Sequence, residues 1–163
     1  MEKLIVDLRN NLGGVLDTVC NILDEMLPEG VIVYTEDKNG ERTEYKSDGE
    51  HSFDLPLVVL VNEYSASASE IFAGAVKDYG IGTLVGTTTY GKGIVQRLFS
   101  LPDGTAVKMT IAKYYTPDGN DIHKVGIEPD VEVELDDSLR QKSVISKEED
   151  NQLQKALEVL EGK

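Results

Sequence analysis

The chain has 163 residues, and its 30 acidic side chains outnumber 16 basic ones, which gives a formal net charge of −14 at pH 7. Such a charge repels phosphate backbones and anionic lipid headgroups, so the composition argues against nucleic acids and membrane surfaces as partners. The length suits one domain, residues 1–163, that buries roughly 70% of the unfolded chain's surface without a disulfide or a structural metal.

The single cysteine, Cys20, lies between apolar residues at helical spacing, and we interpret it as a buried structural thiol. The sequence contains no run of 18 apolar residues and no apolar segment after a basic start, so it predicts neither a membrane span nor a signal peptide in these residues. The first strand begins within the first few residues, as we expect for a piece of a longer protein.

Strands and helices alternate in the first half of the chain, where the apolar residues recur at strand or helix spacing. Asn39-Gly40 is a strong signal for a tight hairpin turn between two of these strands. In chain order, the patterns predict a strand at about 3–8, a helix at about 14–27, a hairpin of strands 31–37 and 41–47, a strand at 56–62 and a helix at 67–79.

Hairpins dominate the second half, with one turn at Pro102-Asp103-Gly104. The patterns predict a buried strand at 83–86, a hairpin of strands 95–101 and 106–115, a strand at 131–135 and a helix at about 147–160. Alternation followed by hairpins favours an α/β class with a mixed sheet.

Three serines alternate with alanines where a predicted strand meets a helix: Ser65, Ser67 and Ser69. Ser67 and Glu70 form the pattern S-x-x-E, which is typical of a capping box at a helix N-terminus. The same position would place a hydroxyl beside free N–H groups at the positive end of a helix, where an oxyanion could be stabilised. From these residues alone, both a structural cap and a nucleophile remain open.

Two further segments, DLRNNLGG at 7–14 and YGKGIVQ at 90–96, each contain two glycines close together. Gly13 and Gly14 permit a tight turn and the close approach of a ligand, although a plain strand–turn–helix connection would use them as well. Lys92 lies between two glycines in a predicted loop, where a lysine is usually only solvated. Each segment is weak evidence when taken alone.

In order, the segments DLRNNLGG, VNEYSASASEI, TTYGKGIVQ, YYTPDG and GIEPDVEVE resemble the peptidase core of the carboxyl-terminal processing (tail-specific) proteases, over about residues 3–135. Five motifs in the family's order make chance agreement improbable. The resemblance implies a crotonase/ClpP-like α/β fold, with a mixed sheet, flanking helices and β-hairpins. It also implies a serine endopeptidase that uses a Ser/Lys pair and needs no cofactor or metal.

In this family the nucleophile lies 25 residues before the motif lysine, which makes Ser67 the nucleophile and Lys92 the general base. By the same resemblance, Gln96 would orient Lys92, and the backbone N–H groups of Gly13 and Ala68 would form the oxyanion hole. A lysine can take the serine proton only if its pKa falls from about 10.4 toward 7, which burial can bring about. If the chain between them were extended, Lys92 and Gln96 would lie about 13 Å apart, so direct contact requires a bend.

The two histidines offer a rival arrangement. His51 and His123 lie in polar segments, where histidine is more often a surface residue. With Asp121 or Glu128 nearby, His123 could serve as a base or a metal ligand, but no ligand spacing supports a metal site.

Two alternatives come from other classes of protein. The chain could be a catalytically inactive scaffold that binds peptide on a sheet edge, and peptide turnover would exclude it. It could also be an acyl-CoA enzyme, since the implied fold is used for that chemistry too. The serine and lysine at the family's spacing argue against the second alternative, and a test of CoA binding would decide it.

The chain departs from the family at Leu12, where proline is usual, and we expect it to be a truncated core without the family's PDZ domain and N-terminal elements. We therefore expect it to fold but to have little activity alone. An exposed edge of the strand at 3–8 would favour a homo-oligomer. For the full-length protein, the resemblance implies polypeptide substrates with unstructured C-termini and an extracytoplasmic location, whether periplasmic, secreted or membrane-anchored.

Overall fold

The computed structural model describes residues 1–51 and 53–162, and every helix and strand predicted from the sequence is present in it. In chain order the elements are β1 (Leu4–Asp7), α1 (Leu16–Asp24), β2 (Gly30–Asp37), β3 (Arg42–Ser47), β4 (Leu57–Val61), α2 (Ala68–Asp78), β5 (Thr83–Gly86), β6 (Ile94–Ser100), β7 (Ala106–Tyr115), β8 (Val131–Glu132) and α3 (Asn151–Glu161).

The strands form two separate sheets of four strands. The first sheet is parallel in the order β1-β4-β5-β8, and the second is antiparallel in the order β3-β2-β7-β6. The predicted mixed α/β fold class is confirmed, with the parallel and antiparallel pairings divided between the sheets. Within the described residues, β1 and β6 are edge strands, each hydrogen-bonded to a strand on one side only.

Strand β4 lies at the centre of the molecule, because all five of its side chains are buried. Alternate residues of a strand point to opposite faces, so an apolar run without alternation requires cover on both sides. On one face, Val59 and Val61 pack into the main core with α1 and α2. On the other face, Val58 and Leu60 pack against Leu160 of α3. Helix α3 therefore covers the outer face of the parallel sheet.

Helices α1 and α3 are several residues shorter than predicted. Helix α1 ends at Asp24 rather than at about 27, and there Leu23 O accepts the Met26 N–H at 3.0 Å as well as the Leu27 N–H, so the last turn is tighter than an α-helix. Helix α3 begins at Asn151 rather than at about 147, because the Asp150 carboxylate accepts the Leu153 N–H and caps the helix there. Among the described residues, no helix is long and apolar enough to cross a membrane.

Cys20 lies on the buried face of α1, as predicted for a structural thiol. Burial, assisted by the nearby Asp17 carboxylate, raises the pKa of the Cys20 thiol to about 11. Because the thiolate is the reactive form, Cys20 is a poor nucleophile in the folded protein.

Candidate active site

Ser67 lies in a strand–turn–helix segment, which we call the nucleophile junction (residues 62–70), between the end of β4 and the start of α2. Its backbone has φ 58° and ψ −116°, a region that non-glycine residues rarely adopt. Such strain costs of order 1–3 kcal/mol and persists where surrounding contacts enforce it, most often at active sites. Ser67 is also partly exposed, whereas Ser65 and Ser69 are buried.

The two neighbouring serines are occupied by structural hydrogen bonds. Ser65 Oγ donates to Leu8 O at 2.7 Å, and Ser69 Oγ donates to Asn11 O at 3.0 Å. Both acceptors belong to the turn that follows β1, so these hydroxyls fasten that turn to the nucleophile junction. Among the three serines, Ser67 is the one whose hydroxyl donates no hydrogen bond to the residues that the structure describes.

Glu70 is fully buried, and its carboxylate accepts four hydrogen bonds. Oε2 accepts the backbone N–H of Ser67 at 2.9 Å, which is half of the predicted capping box, and the backbone N–H of Lys92 at 2.8 Å. Oε1 accepts the Thr89 hydroxyl at 2.7 Å and the Gly91 N–H at 2.6 Å. One carboxylate therefore joins the backbone of the proposed nucleophile to the loop of the proposed base. Sequence reasoning recognised only the cap.

The loop that carries Lys92 is held on its other side by the end of β7 and by the chain that follows it. Gly91 O accepts the Lys124 N–H at 2.8 Å, and Gly93 O accepts the Tyr114 N–H at 2.9 Å. A β-carbon at Gly93 would collide with the backbone of His123, so glycine is required there for close approach. The glycines beside Lys92 thus serve backbone packing, and hydrogen bonds within the described chain fix the loop.

The Lys92 side chain is half-buried and makes no ion pair with any residue that the structure describes. A carboxylate partner would stabilise the charged ammonium and oppose its use as a base. The carboxylate beside this loop, Glu70, is instead saturated by neutral donors. Glu70 thus holds the backbone of the Lys92 loop and not the Lys92 ammonium group.

Gly13 lies directly against Ser67, in the oxyanion turn, a name we use for residues 8–14. Its φ is 94°, and a β-carbon there would lie 2.8 Å from Ala68 N and 2.9 Å from Ser67 Cβ. The Gly13 N–H donates to Asn11 Oδ1 at 2.9 Å. Ala68 is the first residue of α2, whose leading N–H groups have no acceptor within the helix. An oxyanion would have to replace Asn11 Oδ1 as the acceptor of the Gly13 N–H.

Gln96 lies on the exposed side of the edge strand β6, just after a register shift between Val95 and Gln96. Its partner across the strand pair is Thr110, and among the described residues Gln96 makes no hydrogen bond to Lys92. Its assignment as the residue that orients Lys92 stays a prediction.

The histidines do not form a triad with the serine. Exposed His51 faces Glu25, with His51 Nδ1 3.6 Å from the carboxylate. His123 donates its backbone N–H to Asp121, while its buried Nδ1 has no partner among the described residues. Burial opposes ionisation of Asp121, but hydrogen bonds from Lys113 and His123 set its pKa below the ordinary value. The described residues contain no cluster of His, Cys, Asp and Glu that could hold a metal ion.

A polar cleft of about 850 Å³ opens at the carboxyl ends of the parallel strands, beside the nucleophile junction. Its lining includes residues that follow three of those strands, namely Arg9 after β1, Asn62 after β4 and Thr87 after β5. Ligands of open parallel sheets bind at such carboxyl ends. The cleft therefore gives solvent access to one side of the oxyanion turn.

Residues 1–133 match the family model described as Peptidase family S41. The chain belongs to peptidase family S41. An S41 relative named carboxyl-terminal-processing protease, from Synechocystis sp., is 49% identical over 161 residues, covering 99% of this chain and 37% of that protein. Carboxyl-terminal-processing peptidase 2, chloroplastic, from Arabidopsis thaliana is 46% identical over 132 residues, covering 80% of this chain and 26% of that protein.

A solved S41 relative, the photosystem II D1 C-terminal processing protease, superposes with a TM-score of 0.78 at 42% sequence identity. The match covers 82% of this chain and 35% of that structure. The crotonase/ClpP-like fold of S41 peptidases is thereby confirmed for this chain, as the sequence motifs predicted. The chain spans well under half the length of each of these three relatives.

Proposed function

We propose that the chain is the catalytic core of a serine endopeptidase that cleaves polypeptides near unstructured C-terminal tails. The observation that carries the proposal is the sharing of one carboxylate oxygen, Glu70 Oε2, by the backbone N–H groups of Ser67 and Lys92. This contact joins the two segments whose motifs and spacing match the Ser/Lys peptidases. It supports the proposal by holding the backbones of Ser67 and Lys92, which lie on different elements, on the same carboxylate, although among the described residues no hydrogen bond joins the Ser67 hydroxyl to the Lys92 amine.

In the proposed reaction, neutral Lys92 takes the hydroxyl proton of Ser67 as Oγ attacks the peptide carbonyl. The developing oxyanion accepts hydrogen bonds from the N–H groups of Ala68 and Gly13, with Asn11 Oδ1 displaced from the latter. Collapse of the tetrahedral intermediate expels the amine, which receives the proton from Lys92. A water molecule, deprotonated by Lys92, then hydrolyses the acyl-enzyme and frees Ser67.

Several finer features of the proposal rest on family resemblance. They are the preference for unstructured tails, an extracytoplasmic location of the full-length protein, and the orienting role of Gln96. The polypeptide nature of the substrate is supported by the processing-protease names of the relatives. Homo-oligomerisation through β1 is supported by the position of that strand at an edge of the parallel sheet.

The test is covalent labelling of Ser67 by a fluorophosphonate, located by peptide mass analysis, in a protein of the relatives' length that contains these residues. We expect one adduct, on Ser67, together with cleavage of an unstructured peptide. Ser67→Ala should abolish labelling and cleavage, whereas Ser69→Ala should retain both in the fraction that folds. Peptide binding without labelling or cleavage would support the inactive scaffold, and CoA binding would support an acyl-CoA enzyme.

A further inference from the structure

Arg9, in the oxyanion turn, is clamped by side chains from the start of α3 and by Asp7 at the end of β1. Its Nη1 and Nη2 donate to the two carboxylate oxygens of Asp150 at 2.9 and 2.8 Å, and Nη1 also donates to Gln152 Oε1 at 3.0 Å. Nε and Nη2 donate to the Asp7 carboxylate at 3.0 and 2.7 Å. Paired donors on a carboxylate fix orientation as well as distance.

The clamp is largely removed from water. The side chains of Arg9 and Asp150 are 14% and 10% exposed. Burial opposes ionisation of Asp150, but hydrogen bonds from Arg9 and the Leu153 N–H hold its pKa below the ordinary value. The hydrogen bonds and charges of Asp7 and Asp150 likewise raise the pKa of Arg9 against the effect of burial. The pair is therefore charged at neutral pH.

The partners of Arg9 are themselves held in place by the C-terminal helix. Asp150 caps α3, and Gln152 Nε2 donates to Val133 O at 2.7 Å, next to β8. The helix is anchored independently through Ala156 and Leu160, which pack on the outer face of the parallel sheet. Helix α3 would therefore stay packed on the sheet if its contact with Arg9 were lost.

The turn that Arg9 enters is the one that carries the proposed oxyanion donor. Two residues after Arg9, Asn11 O accepts the Ala66 N–H and the Ser69 hydroxyl, each at 3.0 Å, and Asn11 Oδ1 accepts the Gly13 N–H. A shift of Arg9 would therefore be passed along two peptide units to Asn11, whose side chain accepts the N–H of Gly13.

We infer that Asp150 and Gln152 are positioning residues for catalysis, which set the oxyanion turn by holding Arg9. This inference rests on the proposed function and extends it to a helix that carries no catalytic residue. The hydrophobic contacts of α3 explain why the helix packs on the sheet. The hydrogen bonds from Arg9 to Asp150 and Gln152 instead connect the helix to the oxyanion turn. Misplacing a donor by about 1 Å can cost on the order of 100-fold in rate, so the clamp affects turnover more than folding.

The test compares Asp150→Asn with Glu149→Gln. Asparagine still caps a helix, but it cannot offer two anionic oxygens to Arg9. Glu149 is exposed, adjacent in sequence and bonded to Lys142, so its variant controls for a lost carboxylate. Amide hydrogen exchange is measured in this chain, and kcat and KM are measured in the protein of the relatives' length.

For Asp150→Asn we expect about 10-fold faster exchange of the amides in residues 8–14, unchanged exchange in β2, and about a 10-fold lower kcat with KM within twofold. Gln152→Ala, which leaves the cap intact, should show the same pattern at smaller amplitude. Unchanged exchange in residues 8–14 for both variants, or faster exchange throughout the chain, would overturn the inference. If the parent and Glu149→Gln proteins both lack turnover, the proposed peptidase function fails, while the exchange data still decide whether α3 holds the turn.

Discussion

The nucleophile junction and the hairpin formed by β6 and β7 (residues 94–115) differ in how firmly the rest of the molecule holds them. The junction donates a hydrogen bond to the oxyanion turn and accepts one from the loop of Lys92, and Glu70 at its end is fully buried. The hairpin pairs with itself and, through one end of β7, with β2. Its Leu98 and Met109 are 67% and 52% exposed.

The residues of the proposed active site are divided between these two regions. Ser67 and Lys92 belong to the cross-linked region, so their backbones are positioned by contacts within the described chain. Gln96 belongs to the exposed part of the hairpin. Elements with few buried contacts open first and move most. The proposed orienting residue therefore lies in the less firmly held of the two regions.

Among the changes considered, the replacement of Lys92 in the cross-linked region with arginine should lower activity the most. A guanidinium stays protonated, so Lys92→Arg should lower kcat by about 10²- to 10⁴-fold, as much as Lys92→Ala does. The measurement is peptide cleavage by the longer protein. Lys124→Arg, in the neighbouring loop, is the control and should keep its activity. A Lys92→Arg enzyme with a tenth of the parent rate would show that another group is the base.

Replacing Glu70 with glutamine tests whether the carboxylate joins the two segments. The amide nitrogen cannot accept a hydrogen bond, so at least one buried N–H group loses its partner, at about 1–3 kcal/mol for each group. Urea unfolding of this chain should show that loss. Glu63→Gln, an exposed carboxylate in the same junction, should change the free energy of unfolding by less than about 0.5 kcal/mol. Equal effects of the two substitutions would contradict the role given to Glu70.

The two glycines of the oxyanion turn provide a matched pair. Gly13→Ala places a β-carbon against the nucleophile at a positive φ, and should cost about 1–2 kcal/mol of stability as well as reducing kcat. Gly14 has no atom within 4 Å of such a carbon, so Gly14→Ala should be neutral or stabilise by up to about 1 kcal/mol. Thermal unfolding and cleavage rates of both variants test the contrast. Indistinguishable variants would mean that the turn does not touch the nucleophile.

The smallest effect is expected in the hairpin. Met109→Ala removes an exposed side chain and should change the free energy of unfolding by no more than about 0.5 kcal/mol. Leu60→Ala, in the buried strand that leads to the junction, should cost about 2–5 kcal/mol. Chemical denaturation of the two variants compares their losses in the free energy of unfolding. A large loss from Met109→Ala would reveal that the hairpin face is covered in solution.

The sequence predicted the order of the elements, because each buried strand and amphipathic helix is marked by its own apolar spacing. It also placed Gly13 beside the junction, where the structure has it, whereas the choice of Ser67 as nucleophile, through its spacing to Lys92, stays a prediction. The role of Glu70 could not be found in this way, since three of its four donors lie about 20 residues further along the chain. The helix ends were misplaced because they depend on single capping contacts.

The local sequence pattern did not indicate contacts between residues that are far apart in the chain. Arg9 and Asp150 are 141 positions apart, and each is unremarkable within its own segment. The acceptor of the Gly13 N–H was missed as well, although asparagine two residues before a glycine is a common turn partner. The strand predicted at 131–135 was too long because only Val131 and Glu132 pair with β5.

The arrangement around Glu70 has a consequence for the order of folding. Ser67 and Lys92 are 25 positions apart, so their meeting on one carboxylate closes a short loop, whereas docking of Asp150 on Arg9 must close almost the whole chain. Short-range contacts form sooner than long-range ones. We therefore expect pulse-labelled exchange to protect the Gly91 amide, which donates to Glu70, early in folding. In a chain whose C-terminal helix has not yet docked, Glu70 would already hold the backbones of Ser67 and Lys92 while Arg9 lacks Asp150, and the proposed peptidase activity would be about 10-fold lower than in the complete fold.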